Sequence, residues 1–343
     1  MKKFLLPETG NFYKANLHCH STFSDGDLTP EQIKEAYMAR GYSIVAYTDH
    51  DILISHSYLN DKNFLALNGL ELYINSDRQP WVKKDTVHIC MIALDPDNLN
   101  QPCYHRTKVY PWGNALKYID KIKFDPNKPD FVREYTSECI NKMIKEGRDS
   151  GFFVTYNHPA WSMENFSKYS QYKGMNAIEI CNGSSTALGF LDYVPHVYDD
   201  LLLLGNKLHC IGADDNHNHK PLNSRYTDSF CAFTMIKADK LDYRTITDAL
   251  VKGNFYASQG PEIYELYRED DYVHIKCSPA DSIQMNTGCR HAVIYYDEDG
   301  NGLTEASFLV DTPVVDYVRF TVTDKQGRHA NTNAYYKEDL FNL

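Results

Sequence analysis

His18 and His20 stand on alternate residues in the stretch Asn16-Leu17-His18-Cys19-His20-Ser21, directly after a short run that reads as a strand. Residues two apart on a strand point to the same side, so both imidazoles can reach one cation without a bend in the backbone. Histidine is the commonest metal ligand. The pair also has an ordinary reading, two partly buried histidines bonded to backbone. Further groups of the same chemistry shift the balance. Asp25 lies in Ser24-Asp25-Gly26, His50 in Thr48-Asp49-His50-Asp51 and Glu71 in Asn68-Gly69-Leu70-Glu71. His158 lies in Asn157-His158-Pro159, and Asp215 and His217 lie in Asp214-Asp215-Asn216-His217. Imidazole and carboxylate suit zinc, manganese or iron, and a carboxylate such as Glu71 can bridge two cations. No Cys-x-x-Cys pair exists, which argues against a thiolate cage.

Each group has a bland alternative. Asp25 can make an Asx-turn with Gly26. Glu71 can cap a helix, His50 can form a surface pair with Asp49, and His88 can be a satisfied core histidine. His158 precedes a proline, which predicts extended backbone and a fixed ring. Asp214 and Asp215 compete for one role.

The elements that must position these groups alternate. Strands are predicted over residues 43–47, 64–67, 86–93, 152–156, 177–181, 208–211 and 230–236. Thr29 as cap and Pro30 in the first turn predict a helix that runs through Ala39 and stops at Gly41. Further helices are expected from Pro129 or Asp130 to about Gly147, over residues 199–204, and over residues 243–251. Residues 95–129 are rich in Pro, Asn and Tyr and read as a long loop or lid. Short buried strands alternating with helices predict a parallel α/β barrel, with chemistry at the C-terminal strand ends. His88 sits at the start of its apolar run, the wrong end for that scheme. After about Gly260 the texture changes to strands over 272–276, 292–296, 306–310 and 317–322. Asp299-Gly300-Asn301-Gly302 and Lys325-Gln326-Gly327 are hairpin turns. Two domains are expected, 1–260 and 261–343, the second a small antiparallel β-sandwich.

A chain of 343 residues with a formal charge of -11 disfavours nucleic acid as a partner and points to a small-molecule substrate. The nine cysteines are odd in number and several lie in apolar runs, a pattern of buried free thiols. No apolar run approaches membrane-spanning length, and the apolar stretch after the basic start is too short for a signal peptide before Pro7 and Glu8. The cytoplasm is the expected compartment, although a removed signal peptide is compatible with the same residues. Nothing in the sequence fixes an oligomeric state.

Taken in order, His18-x-His20, Ser24-Asp25-Gly26, Thr48-Asp49-His50, Gly69-Leu70-Glu71, Asn157-His158-Pro159 and Asp215-x-His217 resemble the PHP (polymerase and histidinol phosphatase) superfamily over roughly residues 10–260. The CehA/McbA-type branch is the most similar. The resemblance implies a distorted (β/α)7 barrel and two or three divalent metal ions. It implies that His18, His20, Glu71 and Asp215 hold a first metal. Glu71, His88 and His158 would hold a second, and Asp25, His50 and His217 a third. The Asp-x-His spacing selects Asp215 as ligand, leaving Asp49 and Asp214 as supports that orient ligands. The implied reaction is phosphoester hydrolysis by a metal-bound water or hydroxide, with Arg225 and Asn182 as candidate phosphate contacts. Hydrolysis of an amide, carbamate or ester at the same metals is the alternative, and a non-catalytic binding module is the third reading. The tryptophans Trp81, Trp112 and Trp161 read as packing.

Overall fold

The computed structural model describes residues 2–310 and 316–341. Local chemistry sets the helix ends. Thr29 Oγ1 accepts from the Gln32 N–H while Gln32 Oε1 accepts from the Thr29 N–H, a reciprocal cap that opens α1 (Pro30–Met38). The helix expected from residue 129 or 130 starts later, as α2 (Ser137–Asp149), with Thr136 as its cap. The reason is tertiary. The Phe131 N–H donates to the Tyr104 carbonyl and Arg133 reaches Asp51, so this stretch stays non-helical. Short α3 (Phe166–Tyr169) and α4 (Gly183–Ala187) precede α5 (Pro195–Leu203). Asp242 caps α6 (Tyr243–Lys252), which ends at Gly253 with φ +72°, and α7 (Lys337–Phe341) is last.

The strands are β1 (Lys3–Phe4), β2 (Asn11–Asn16), β3 (Tyr42–Tyr47), β4 (Leu65–Asn75), β5 (Thr86–Ala93), β6 (Phe152–Tyr156), β7 (Ala177–Asn182), β8 (His209–Ala213) and β9 (Phe233–Ala238). They continue as β10 (Phe255–Ser258), β11 (Ile263–Glu269), β12 (Tyr272–Ala280), β13 (Ser282–Thr287), β14 (Ala292–Tyr296), β15 (Leu303–Leu309), β16 (Tyr317–Thr323), β17 (His329–Thr332) and β18 (Tyr335–Tyr336). One large sheet runs β14-β13-β16-β17-β10-β9-β2-β3-β4-β5-β6-β7-β8, with β18 on β16; a second runs β1-β11-β12-β15. The first strand, β1, thus pairs with β11 near the other end of the chain. The sequence reading missed β1, β10, β11, β13, β17 and β18, of which β1, β10, β17 and β18 have four residues or fewer.

The expectation of an all-parallel succession is corrected. β2/β3, β3/β4, β6/β7 and β7/β8 are parallel, but β5 is antiparallel to both β4 and β6. β4 runs on through Glu71 to Asn75 and forms a hairpin with β5, placing Tyr73 opposite His88. The start of β5 therefore lies at the same edge as the ends of β4 and β6, which is why His88 reaches the site from the start of its run. β9 begins at Phe233 and not at Phe230. The N–H groups of Phe230, Cys231 and Ala232 all donate to the Asp214 carboxylate, and Phe230 takes φ +66°.

One hydrophobic cluster draws on nine strands: Ala15, Ile44, Leu67, Ile92, Phe153, Ala177, Ile211, Ile236 and Phe255 meet in it, with Ile246 and Leu250 of α6. Each large apolar side chain so buried contributes about 1.5–3 kcal/mol. The sheet must curl for these residues to touch. Its far edge is tied back to β2: the Asp215 N–H donates to the His18 carbonyl and the His20 N–H to the Asn216 carbonyl. A second cluster joins Ile275 and Phe308 of the smaller sheet to Met285, Phe320 and Val322 of the larger one. All nine cysteines are free. Among the described residues no helix is long and apolar enough to cross a membrane.

Candidate metal centre

The curled sheet brings His18, His20, Asp25, His50, Glu71, His88, His158, Asp215 and His217 together at one mouth. Glu71 is at the middle. Its Oε1 lies 3.3 Å from His18 Nε2, 3.1 Å from His88 Nδ1 and 3.2 Å from His158 Nε2. Its Oε2 lies 3.1 Å from His50 Nδ1 and 3.5 Å from His20 Nε2. Asp215 Oδ1 is 3.2 Å from His18 Nε2 and 3.1 Å from His20 Nε2. Asp25 Oδ2 is 3.3 Å from His217 Nε2 and 3.8 Å from His50 Nε2.

Among the described residues, four sets of ligating atoms are close enough to hold an ion: His20, Asp25, His50 and His217; His18, His158 and Asp215; His50, Glu71 and His88; and His18, Glu71 and Cys90. The grouping differs from the one implied by the resemblance, since His20 here faces both Asp215 and the Asp25 group. Cys90, read from sequence as a buried free thiol, joins the floor and accepts from Asn157 Nδ2 at 3.0 Å.

Backbone conformation aims several of these groups. Asp51 N–H donates to the Glu71 carbonyl, and a bridge links His50 to Glu71, so the end of β3 lies beside β4. His158 takes φ +27° and Asp215 φ +55°. The extended backbone expected at His158 is thus overturned. Glu179 Oε2 accepts its N–H at 3.0 Å, and its carbonyl accepts from Ser162, which together impose a turn. Positive φ at a non-glycine residue costs about 1–3 kcal/mol and recurs where function fixes a side chain.

Glu179 went unnoticed in the sequence. It is fully buried, and its Oε1 is 2.7 Å from His18 Nδ1. The His18 Nδ1–H donates there, which leaves Nε2 free to ligate. The same carboxylate accepts from Asn182 Nδ2 at 2.9 Å. Its signal was a lone carboxylate inside the apolar run Ala177-Ile178-Glu179-Ile180-Cys181.

The proposed supports divide. Asp49 accepts from the Ser21 N–H, the Ser21 hydroxyl and the Ser24 hydroxyl, and Ser24 Oγ is 3.4 Å from His20 Nδ1. Asp49 therefore bears on His20 through Ser24. Asp214 touches no ligand histidine. It accepts from Tyr37 and from three backbone N–H groups, and holds the turn before β9. Asn182 is buried, caps α4, and donates to Glu179 and Asp215, so it braces the floor. Arg225 is exposed, stacks over Tyr226, and is not among the residues lining the cavity.

Charge is balanced by neighbours. Burial opposes ionisation of Glu71, yet His88, His18 and His50 hold it well below the usual carboxylate range. Asp215 and Asp25 are likewise lowered against burial by the histidines facing them. Burial acts against charge on His158 too, but Glu71 and Asp215 carry it to about 9. Burial pushes His50 down to about 3, helped by His20. His50 Nδ1, His88 Nδ1 and Asp215 Oδ1 are buried without a hydrogen-bond partner. Two orphaned imidazole nitrogens facing the Glu71 carboxylate and one orphaned Asp215 oxygen facing His18 and His20 fit a divalent cation.

The mouth opens into a cavity of about 830 Å³. Trp112, from the 95–129 segment, packs on His50 at 4.6 Å between ring centres, and Trp161 packs edge-on to His88 and His158.

No family profile matches the chain. The 3',5'-nucleoside bisphosphate phosphatase of Chromobacterium violaceum is 33% identical over 85 residues, which is 24% of this chain and 28% of that protein. The match thus spans little more than a quarter of that relative. Among solved structures, a two-domain protein from Bacteroides vulgatus containing a predicted PHP-like metal-dependent phosphoesterase has a TM-score of 0.44 at 15% identity, covering 97% of this chain and 98% of that one. An amidohydrolase from Chromobacterium violaceum with bound sulfate has a TM-score of 0.35 at 18% identity, covering 59% and 87%.

Proposed function

We propose that this chain is a metal-dependent phosphoesterase of the PHP superfamily, acting on a small phosphate ester. The observation that carries the reading is the meeting of five histidines on the Glu71 carboxylate, with His50 Nδ1, His88 Nδ1 and Asp215 Oδ1 left unpartnered. The 85-residue match to a bisphosphate phosphatase supports the same chemistry. In this reading the curled β2–β10 part of the large sheet is the distorted (β/α)7 barrel of residues 1–260, and residues 261–343 form the β-sandwich domain. The CehA/McbA-like branch, a small-molecule substrate and a cytoplasmic setting belong to the proposal as well.

His18, His20, Asp25, His50, Glu71, His88, His158, Asp215 and His217 would hold two or three cations of zinc, manganese or iron. When bound, the cations supply Lewis acidity toward water and phosphoryl oxygen. The chain's own part is positional. Glu179 takes the Nδ1 proton of His18 and so presents Nε2. Ser162 fixes His158 through Nδ1 at 3.2 Å, and Ser24, backed by Asp49, fixes His20. Trp112 packs against His50 and Trp161 against His158, bounding the floor on those sides.

The test is elemental analysis of purified protein, then assay against p-nitrophenyl phosphate, bis-p-nitrophenyl phosphate and a p-nitrophenyl carboxylate. Phosphate-ester turnover that vanishes in His20→Ala, with the fold retained, is expected. Turnover of the carboxylate alone would move the reading to carbonyl hydrolysis, and unaltered turnover in His20→Ala would remove the site assignment.

A further inference from the structure

We infer that the substrate is a phosphate monoester whose alcohol carries a flat aromatic ring, held on a tryptophan-lined wall above the metal floor; this rests on the phosphoesterase reading. The chain has three tryptophans, and all three line this one cavity. They come from unrelated segments: Trp81 from the loop between β4 and β5, Trp112 from the 95–129 segment, and Trp161 from the turn after His158. Random packing would have put some in the core, yet no tryptophan is among the buried core residues described. Trp81 is 63% exposed and Trp112 41% exposed. Phe190 and Tyr226, also partly exposed, line the same cavity.

Exposed apolar surface of this extent costs solvation, and its concentration at one concave mouth marks a binding face. The wall and the floor differ in chemistry. The floor is imidazole and carboxylate; the wall is indole and phenyl, which favour stacked or edge-on aromatic partners. A substrate that satisfies both has an anionic phosphoryl end and a flat apolar end. In its hydrolysis the oxygen of water forms a new bond to phosphorus. The bond from phosphorus to the alcohol oxygen breaks, the alcohol takes a proton, and inorganic phosphate leaves.

Because every tryptophan is in the cavity, intrinsic fluorescence reports on it directly. The experiment uses metal-loaded, full-length protein and two pairs of probes. 4-Nitrobenzylphosphonate, a nitroaromatic quencher that cannot be hydrolysed, is titrated beside methylphosphonate. Turnover of 4-nitrobenzyl phosphate is compared with that of ethyl phosphate, both esters of primary alcohols. Saturable quenching by the aromatic phosphonate alone is expected, with kcat/KM at least about tenfold higher for the aromatic ester, the scale of one good ring contact. Trp81→Ala, at an exposed position, lowers that ratio several-fold, and Trp81→Phe restores most of it. Equal turnover of both esters with no saturable quenching overturns this inference and leaves the phosphoesterase reading standing. Hydrolysis of neither ester, nor of p-nitrophenyl phosphate, by metal-loaded protein overturns both.

Discussion

At the scale of single residues the site depends on atoms that do not touch a cation. Glu179 is the clearest case, since one carboxylate orients His18, holds the His158 N–H and braces Asn182. Glu179→Gln keeps the shape and removes the charge. Metal content measured by elemental analysis, or activity, should fall about 10–100-fold, the usual cost of losing such a partner. The circular dichroism spectrum should stay unchanged. Asp51 is a second residue of this kind, fully buried and paired with Arg133, which also donates to the Tyr73 carbonyl. Asp51→Ala leaves a guanidinium buried without its counter-charge. Urea unfolding should show a loss of about 3–5 kcal/mol.

At the scale of elements, the hairpin of β4 and β5 is decisive, because it turns one strand around and delivers His88 to the mouth. The segment that follows His158 is pinned by Glu164, whose carboxylate accepts from Tyr135, Tyr156 and Tyr172. Burial raises its pKa above 4.5, against the pull of the three hydroxyls. The native state therefore holds a proton there more tightly than the unfolded chain does. This group's contribution is complete below pH 4.5 and is lost as pH rises through the raised native value. Glu164→Gln removes the titration. Its stability relative to the parent should improve steadily from pH 4 toward neutrality when thermal unfolding is followed across that range. A relative stability independent of pH would contradict the raised value.

At the scale of the whole molecule, the floor gathers imidazoles and carboxylates from strands far apart in sequence and leaves His50 Nδ1, His88 Nδ1 and Asp215 Oδ1 unpartnered. Binding a cation only in the folded state stabilises the fold by mass action, by about 2.7 kcal/mol at a hundredfold excess over Kd. The melting temperature should therefore rise with added zinc or manganese and fall with a chelator. His20→Ala should flatten both responses. The same scale explains why the long 95–129 segment matters. It carries Trp112 onto His50, and the Asn114 N–H donates to the Ser24 carbonyl beside Asp25.

The sequence by itself determined what is local. The histidine and carboxylate motifs, the cap at Thr29, the stop at Gly41 and the strand ends that carry His50 and His158 all follow from spacing and short-range chemistry. The tertiary structure alone decided the direction of β5, the pairing of Glu179 with a histidine 161 residues away, and the diversion of Asp214 to a backbone turn. It also decided that three scattered tryptophans line one cavity. Strand direction and such distant contacts are set by which surfaces the folded chain buries together, and that information is spread over the whole sequence, beyond any window in which periodicity can be read.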